Sequence, residues 1–513
     1  MTTIQLTAPR TGPIDEALAL AAQHALARQR TDGAWVADPD PRITETALTA
    51  LALDRSPEPR ARDAARHARA WLHGAVPQDH HPAARTFEEV LRAIALGLGG
   101  DAVRLDLDVP ALRDPAMASR ARLLQTVAFT CAPRATGYDP VGLRAALGAA
   151  STRLERLKSW SRVEVWAAYA LVEDAFGEPE RARWAAKHVA ALQSADGGFH
   201  GNPVTAALAC LALLTVDPGS EAASRAVEHL VDTQFPDGTW RFCSSDVWDT
   251  TLMVRAMRDE PTFARHALPA AVAFLRRAQN ADGGWPFRSG VESDNDTTGA
   301  ALLALRGADA ANAVDAALRH LAVQQQPDGL WRTWQSAGDP AVQDVNAHVV
   351  AALDAHRAAH GIATEPARDW LRGCFEQGGR WHGSWYLGLP YAVAEVAPAM
   401  VGQSAAAERA ARAAAEALAA TQNPDGGWPA ESGLDSNPAC TGLALAALEA
   451  GGVYDPRRWR RGLDYLVDTQ NADGAWPGVP LMSGPRPLLT HYQTHTQAFA
   501  ALGLCAGLRV QGD

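Results

Sequence analysis

The 513-residue sequence lacks several patterns that mark other classes of protein. Its six cysteines are scattered without a Cys-x-x-Cys pair, so we expect buried, reduced thiols in a cytosolic protein rather than disulfides or a zinc site. No apolar run reaches the ~18 residues that span a bilayer. The N-terminus has no basic segment followed by an apolar core, as a secretory signal would. These absences predict a cytoplasmic protein without transmembrane helices.

Lysine is scarce as well. Of the 47 basic residues only Lys158 and Lys187 are lysine, and the net charge is −11. Proteins that bind nucleic acid present a basic footprint, so we expect no nucleic-acid partner. An anionic small molecule would need a local cluster of basic side chains. The oligomeric state stays open.

What the chain does contain is an internal repeat, and repeats are informative about fold class. From its second copy onward the unit Gln-x-x-Asp-Gly-x-Trp/Phe recurs at a spacing typical of two-helix units. Its Asp-Gly supplies a tight turn, and its Gln and aromatic residues can tie neighbouring repeats together. Copies start at Gln29, Gln193, Gln234, Gln279, Gln325, Gln422 and Gln470, and a degenerate copy occupies 375–381.

Each repeated turn lies between two kinds of helical sequence. The stretch before it has one apolar face, and the stretch after it is apolar nearly all round and must be buried. Outer and inner rings of helices that close into an αα-barrel satisfy both patterns. Because 76–157 lacks the turns, they fall into two groups. We therefore predict an all-α protein of two αα-barrels, with one domain over 31–244 and the other over 245–513 together with the helix in 1–30.

Two carboxylates one residue apart, Asp294 and Asp296, lie where one of the apolar helices begins. Their mutual repulsion favours a proton on one of them and raises its pKa above the ~3.9 of an ordinary Asp. A protonated carboxyl group in a dry pocket is a strong proton donor. The alternative is an acidic N-cap that satisfies the first N–H groups of the helix. For an isolated Asp-x-Asp that alternative would be favoured.

The repeated turn and the 294–298 box, Asp-Asn-Asp-Thr-Thr, resemble those of class II terpene cyclases, which include squalene–hopene and diterpene cyclases. The resemblance covers most of the chain. It implies the βγ pair of αα-barrels, with the γ-type barrel in 31–244 and the β-type barrel, which carries the box, in 245–513. The box departs from the usual Asp-x-Asp-Asp because Thr297 replaces the last Asp, although a Thr hydroxyl can still donate to a carboxylate.

Three further segments, 246–251, 344–349 and 381–386, look like parts of squalene–hopene cyclases. By this resemblance Asp296 is the general acid and His348 hydrogen-bonds it, which would stabilise the carboxylate left after proton transfer. Singly, each candidate is more often an ordinary core residue; the set in matching contexts favours function. The other residues implied are Asp294, Thr297, Asp249 and Asp344 around the acid, Tyr391 beside the histidine, and Trp248, Trp385 and Tyr386 lining the cavity.

The Asp-x-Asp-Thr-Thr variant of the box is similar to that of bacterial drimenyl diphosphate synthases. This implies conversion of farnesyl diphosphate to a bicyclic drimane-type diphosphate; geranylgeranyl diphosphate, giving a copalyl-type product, is the alternative. The sequence has no adjacent Asp-Asp pair, so it lacks the motif that holds a metal cluster for ionising a diphosphate. Mg²⁺ is still expected to help bind the diphosphate. Candidate holders are Lys158 and Arg162, with Glu164 for the metal, although a solvated helix face explains them about as well.

Two readings from other classes stay open. A zinc prenyltransferase also uses an αα-barrel, and Asp435, Cys440 and His491 or His495 are possible ligands, without the spacing of a zinc signature. A non-catalytic helical scaffold is the third reading. It predicts no reason for Asp296 and His348 to be coupled.

Overall fold

The computed structural model describes residues 12–79, 81–97, 105–334, 339–357 and 360–512. These residues are almost entirely helical, with two short antiparallel strands, β1 (Met482–Ser483) and β2 (Leu489–Thr490). In chain order the α-helices are α1 (Pro13–Arg28), α2 (Ile43–Leu53), α3 (Pro59–Gly74), α4 (Pro82–Ala95), α5 (Ala118–Cys131), α6 (Pro140–Ser151), α7 (Ser159–Ala175), α8 (Pro179–Ala191), α9 (Pro203–Val216), α10 (Glu221–Asp232), α11 (Asp246–Met257), α12 (Pro261–His266), α13 (Leu268–Ala278), α14 (Asn295–Ala304), α15 (Ala311–Gln324), α16 (Gln343–Ala355), α17 (Glu365–Gly378), α18 (Leu389–Met400), α19 (Ala405–Ala419), α20 (Pro438–Ala450), α21 (Pro456–Thr469) and α22 (Gln493–Gly512). Short 3₁₀ helices cover Pro110–Arg113, Pro115–Met117 and Leu154–Arg156.

The chain forms two compact units. The first takes in the described residues up to Ala37, then Ser245–Leu481 and the described residues from His491 onward. The second consists of Asp38–Ser244 and Met482–Thr490.

This division differs at two points from the sequence-based bounds of 31–244 and 245–513. Residues 31–37 belong to the first unit, where the Trp35 N–H donates to Thr250 Oγ1 at 3.1 Å. Residues 482–490 belong to the second unit, because the Leu489 N–H donates to Asp79 Oδ2 at 2.8 Å. No repeat motif marks that excursion in the sequence, so it was not predicted.

In the first unit the inner helices are those that follow the repeated turns. Helices α11, α14, α16, α18, α20 and α22 each pack on the next, and α22 packs on α11, so the ring closes. Nearly every described residue of α14 and α18 is buried, whereas α13, α17 and α19 bury one face. This is the pattern that apolar and amphipathic sequences dictate for inner and outer helices.

The second unit closes in the same way. Helix α2 packs on α9 and α4, α9 packs on α7, and α5 bridges α7 and α4. Helices α2 and α9 are buried along nearly their whole length. The predicted all-α, αα-barrel fold is confirmed. Of the described helices, none combines the length and apolarity needed to cross a bilayer.

The repeated turns hold successive helices together as their chemistry predicts. Gln279 Nε2 donates to the Gly283 carbonyl within the turn and to the Ala313 carbonyl of the next repeat, both at 2.8 Å. The fully buried Trp285 indole donates to the Leu275 carbonyl at 2.6 Å. Gly283 has φ +86°, and an added Cβ would meet a backbone carbonyl oxygen at 2.6 Å. The glutamines at 29, 193, 234, 325, 422 and 470 make the same paired bonds.

Candidate active site

The acidic box forms the N-terminus of α14. Asp294 is its N-cap and accepts hydrogen bonds from the Thr297 backbone N–H at 2.6 Å and the Thr297 hydroxyl at 2.9 Å. Its own N–H donates to the Trp285 carbonyl at 3.0 Å, and the Trp285 N–H donates to Thr298 Oγ1 at 2.9 Å. The N-cap interpretation therefore holds for Asp294, and the preceding turn fixes where the box begins.

Asp296 has a different environment. Its side chain lies inside the ring with the residue only 5% exposed, and Oδ1 lies 2.6 Å from Nδ1 of His348 on α16. The structure thus brings together the two residues that the scaffold interpretation left uncoupled. Thr297 is occupied by Asp294, so the hydroxyl that replaces the usual third Asp supports the cap.

The other ring nitrogen of His348, Nε2, contacts a residue that the sequence did not point to. Nε2 lies 2.5 Å from Oε2 of Glu395 on α18, and the same oxygen accepts from Arg255 Nη2 of α11 at 2.7 Å. The Arg255–Glu395 bond joins α11 to α18, which are not neighbours in the ring order. One signal was available: Glu395 is the single charged residue of the otherwise apolar α18.

This arrangement separates the pKa values of the buried groups. Burial lowers the pKa of His348, but the charges and hydrogen bonds of Glu395 and Asp296 outweigh it and raise the pKa to about 10. Burial acts to raise the pKa of Glu395, but Arg255 and His348 lower it to about 2. Near neutral pH the histidine is therefore cationic and Glu395 is ionised.

Asp344, four residues before His348, is fully buried and lies against the 381–386 segment. Its Oδ2 accepts from the Ser384 and Trp385 backbone N–H groups at 2.7 and 3.2 Å. Burial raises the pKa of Asp344 to about 6, and the charge of Asp296 acts in the same direction. Asp344 therefore orients the segment that carries Trp385 and feels the acidic box electrostatically.

Asp249 has a supporting position. Its carboxylate accepts from Ser245 Oγ at 2.7 Å, the Ala37 N–H at 3.0 Å, Thr494 Oγ1 at 2.8 Å and His495 Nε2 at 2.9 Å. These bonds tie α11 to the segment that ends at Ala37 and to α22. Asp249 therefore helps to position α11, and its predicted influence on the acidic box stays a prediction.

An aromatic ring lies beside His348, and further aromatic side chains connect to it. The Trp248 ring lies 6.0 Å from it, centroid to centroid, and the Trp248 indole donates to Tyr386 Oη at 2.7 Å. Tyr386 in turn donates to His495 Nδ1 at 2.9 Å. Trp385 lies edge-on to Trp334 at 6.5 Å. Such faces can stabilise a cation without bonding to it.

Tyr391 was predicted to lie near His348 and to orient the acid together with it, and the described structure shows no hydrogen bond from Tyr391 to either residue. Its ring packs against Tyr386 with 4.4 Å between centroids and a tilt of 32°, but within the described ranges its buried hydroxyl has no hydrogen-bond partner. Both ring nitrogens of His348 are already taken by Asp296 and Glu395. Glu395 therefore orients the imidazole, and Tyr391 packs beside it.

A sequence profile of the squalene–hopene cyclase C-terminal domain matches residues 201–338 and 334–508, more than half of the chain. The chain belongs to the squalene–hopene cyclase family. The predicted resemblance to class II terpene cyclases is confirmed.

Two relatives of this squalene–hopene cyclase family member carry the same name. Drimenyl diphosphate synthase from Streptantibioticus cattleyicolor is 33% identical over 331 residues, which cover 60% of this chain and 62% of that protein. The drimenyl diphosphate synthase of Streptomyces showdoensis is 30% identical over 331 residues, covering 62% of this chain and 54% of that protein. The matches therefore span between half and two thirds of these relatives. The structure of ent-copalyl diphosphate synthase from Streptomyces platensis covers 97% of this chain and is itself covered completely, with a TM-score of 0.66; at 18% identity this likeness establishes the fold alone.

The candidate ligands of the diphosphate and of Mg²⁺ lie in the second unit of this squalene–hopene cyclase family member. Lys158 Nζ lies 5.7 Å from the centroid of the Trp160 ring, Arg162 Nε donates to the Leu157 carbonyl at 2.8 Å, and Glu164 accepts from Thr205 Oγ1 at 2.8 Å. Across the described ranges, no three His, Cys, Asp or Glu side chains are grouped as a metal site requires. These residues therefore do not fit an Mg²⁺ site built by protein ligands alone.

The zinc hypothesis concerned Asp435, Cys440 and His491 or His495. Burial raises the pKa of the Cys440 thiol to about 12. His495 lies between Asp249 and Tyr386, and His491 contacts Thr496. The described residues include no group of three such side chains that could hold a metal ion, so the structure gives the zinc prenyltransferase hypothesis no support in this part of the chain.

Helices α14 and α16 approach closely at Gly299, where an added Cβ would lie 3.0–3.1 Å from atoms of His348. We expect Gly299→Ala to push the helices apart by a few tenths of an ångström and to lengthen the Asp296–His348 hydrogen bond. Turnover should fall about tenfold, with a stability loss of about 1–3 kcal/mol. Gly373→Ala is the matched control, because that α17 position has open space around it. Steady-state kinetics and thermal melting measure both effects, and equal rates for the two variants would contradict the expectation.

Proposed function

We propose that the chain is a class II terpene cyclase that converts farnesyl diphosphate to a bicyclic drimane-type diphosphate. The observation that carries the proposal is the buried Asp296 carboxyl group held 2.6 Å from a cationic His348. The two relatives named drimenyl diphosphate synthase support the choice of substrate. The Asp-x-Asp-Thr-Thr form of the box supports the same choice.

In the proposed reaction the Asp296 carboxyl group transfers its proton to the terminal alkene. A new C–H bond forms, and the positive charge moves to the more substituted carbon. Two ring closures carry the cation inward, and loss of a proton from a neighbouring carbon forms the product alkene. One proton enters and one leaves, so the reaction is an isomerisation and the diphosphate is retained.

The surroundings of Asp296 fit a proton transfer to carbon. An alkene is a very weak base, so the acid must be much stronger than a carboxylic acid in water. The hydrogen bond from the cationic His348 stabilises the carboxylate that forms, in a site from which water is largely excluded. Trp248 and the other aromatic rings supply faces for the carbocation.

Mg²⁺ is part of the proposal as a counter-ion of the substrate. It commonly binds through one or two carboxylates together with substrate phosphates. Glu164 is the candidate that the sequence offered for this contact. Activity with and without Mg²⁺ tests this element separately.

The test is incubation of the protein with farnesyl diphosphate, geranylgeranyl diphosphate and squalene, each with and without Mg²⁺. Products are dephosphorylated and identified by mass spectrometry. The expected result is a bicyclic C15 alcohol that appears only after phosphatase treatment. A C20 bicycle would favour the copalyl-type alternative, and no turnover of any of the three would overturn the proposed function.

A further inference from the structure

Glu395 is a buried carboxylate with no counterpart in the predicted site. It is 4% exposed and occupies the middle of α18, where its neighbours Ala394 and Val396 are also buried. Its Oε2 receives two contacts, His348 Nε2 at 2.5 Å and Arg255 Nη2 at 2.7 Å. An unpartnered carboxylate at this depth would be costly, so its two partners account for its ionised state.

The charged and titratable groups around His348 come from four helices. Asp296 faces it from α14 and Glu395 from α18, Arg255 lies behind Glu395 on α11, and Asp344 shares α16 with it. The aromatic hydroxyls of Tyr386 and Tyr391 add no charge, because burial raises both of their pKa values well above the ordinary range.

The ionised Glu395 determines which protons the imidazole carries. A carboxylate can only accept, so Nε2 must carry a hydrogen. If the ring were neutral, Nδ1 would then be bare and would accept the proton of Asp296, holding it away from the substrate. If the ring is cationic, Nδ1 donates to Asp296 Oδ1, and the acidic proton can reside on the other oxygen.

We propose that Glu395 is a positioning residue for the acid: by keeping His348 cationic and fixing its orientation, it makes the histidine a donor to Asp296 and not a trap for its proton. This inference rests on the proposed function. It adds a third member, Glu395, to the predicted pair of Asp296 and His348.

A cavity of about 200 Å³ adjoins this group. Arg255, His348 and Glu395 contribute to its lining, together with Arg258 and Arg306. The Arg255 side chain is 20% exposed whereas that of Glu395 is 3% exposed, so truncation of Glu395 would open space beside a partly exposed arginine. A small carboxylate such as formate could replace a missing Glu395 side chain there.

The first test is Glu395→Gln. Removal of the negative charge lowers the pKa of His348, so the imidazole loses its second proton at a lower pH than in the wild type. Wild-type activity should persist until the pH approaches about 10, and the alkaline limb of the pH–kcat profile should lie at least one pH unit lower in E395Q. Turnover near neutral pH should fall roughly tenfold or more. Glu395→Asp should restore part of the loss.

Three comparisons separate this role from a structural one. Glu173→Gln removes another buried, arginine-paired carboxylate, bound by Arg144 in the second unit, and should leave the pH profile unchanged. Glu395→Ala should regain activity when formate is added. Arg255→Gln removes the cation that neutralises Glu395, so it should move the alkaline limb upward or leave it in place. A shift of the alkaline limb to lower pH in Arg255→Gln would contradict the inference. This variant keeps the inference testable if E395Q does not fold.

NMR titration of ¹⁵N-labelled histidine, with His348 assigned from a His348→Gln difference spectrum, tests the inference without turnover. The His348 midpoint should be lower in E395Q than in the wild type. An unchanged midpoint, or an unchanged pH–kcat profile, would overturn the role of Glu395. If the wild type turns over no prenyl diphosphate while its His348 midpoint still depends on Glu395, the proposed function fails and the charge coupling stands.

Discussion

Asp296→Asn is expected to leave the protein folded and to reduce turnover of farnesyl diphosphate by about 10²–10⁴, the range typical of a lost general acid. The amide has nearly the same shape as the carboxyl group, and its oxygen can still accept from His348 Nδ1. It has no proton acidic enough to transfer to carbon. The hydrogen-bonded framework should therefore persist while the first chemical step slows.

The informative comparison is Asp294→Asn in the same box. Asn is as good an N-cap as Asp, and its side-chain oxygen can still accept from Thr297, as Asp294 does. We expect a smaller fall than for Asp296→Asn, because this change removes a neighbouring charge and not the donor. Turnover measured under single-turnover conditions, with circular dichroism to verify folding, separates the two. A near wild-type rate for Asp296→Asn would remove Asp296 from its role.

Trp285→Ala should cost about 3–5 kcal/mol of stability, as is typical when a buried aromatic residue is truncated. The ring is fully buried, and its indole N–H caps the Leu275 carbonyl. Its backbone also pairs with Asp294 and Thr298 at the start of α14. The cavity left by the ring would loosen the turn that positions the acidic box.

The matched control for this change is Trp184→Ala, since Trp184 is 50% exposed and packs edge-on against Trp166 in the second unit. Its removal should cost much less. Urea denaturation followed by circular dichroism measures both. Equal midpoints for the two variants would show that the turn tryptophan does not stabilise the first unit as its burial indicates.

Much of the fold could be predicted because its signals are local. Each repeated turn is a motif of seven residues, and side chains of that motif, such as Gln279 and Trp285, make the hydrogen bonds that hold a helix pair together. Apolar runs such as α9 and α20 had to be buried and are. Residues 482–490 belong to the second unit because they form hydrogen bonds with the distant Asp79 and Arg42. No local sequence pattern in 482–490 predicts these bonds.

The site divides in the same way. Asp296 and His348 could be proposed from the box and from the family resemblance, and the structure places them in contact. Glu395 could not be assigned to them, because its partners lie 47 and 140 residues away in sequence. Tyr391 was given a role beside His348 because the stretch that contains it resembles a segment of squalene–hopene cyclases. Only the directions of the side chains on α18 show that Glu395, and not Tyr391, bonds to His348.

The bond between Arg255 and Glu395 runs across the ring from α11 to α18, and this has a consequence for how the enzyme could change. This ion pair occupies part of the space inside the ring of inner helices, and a hydrocarbon chain cannot take its place. Deepening the chamber in that direction, to admit a longer chain, would dismantle the support on which the acidity of Asp296 depends. Under the proposed function, substrate length and acid strength are therefore linked through this ion pair, and a change in one is expected to require compensation in the other.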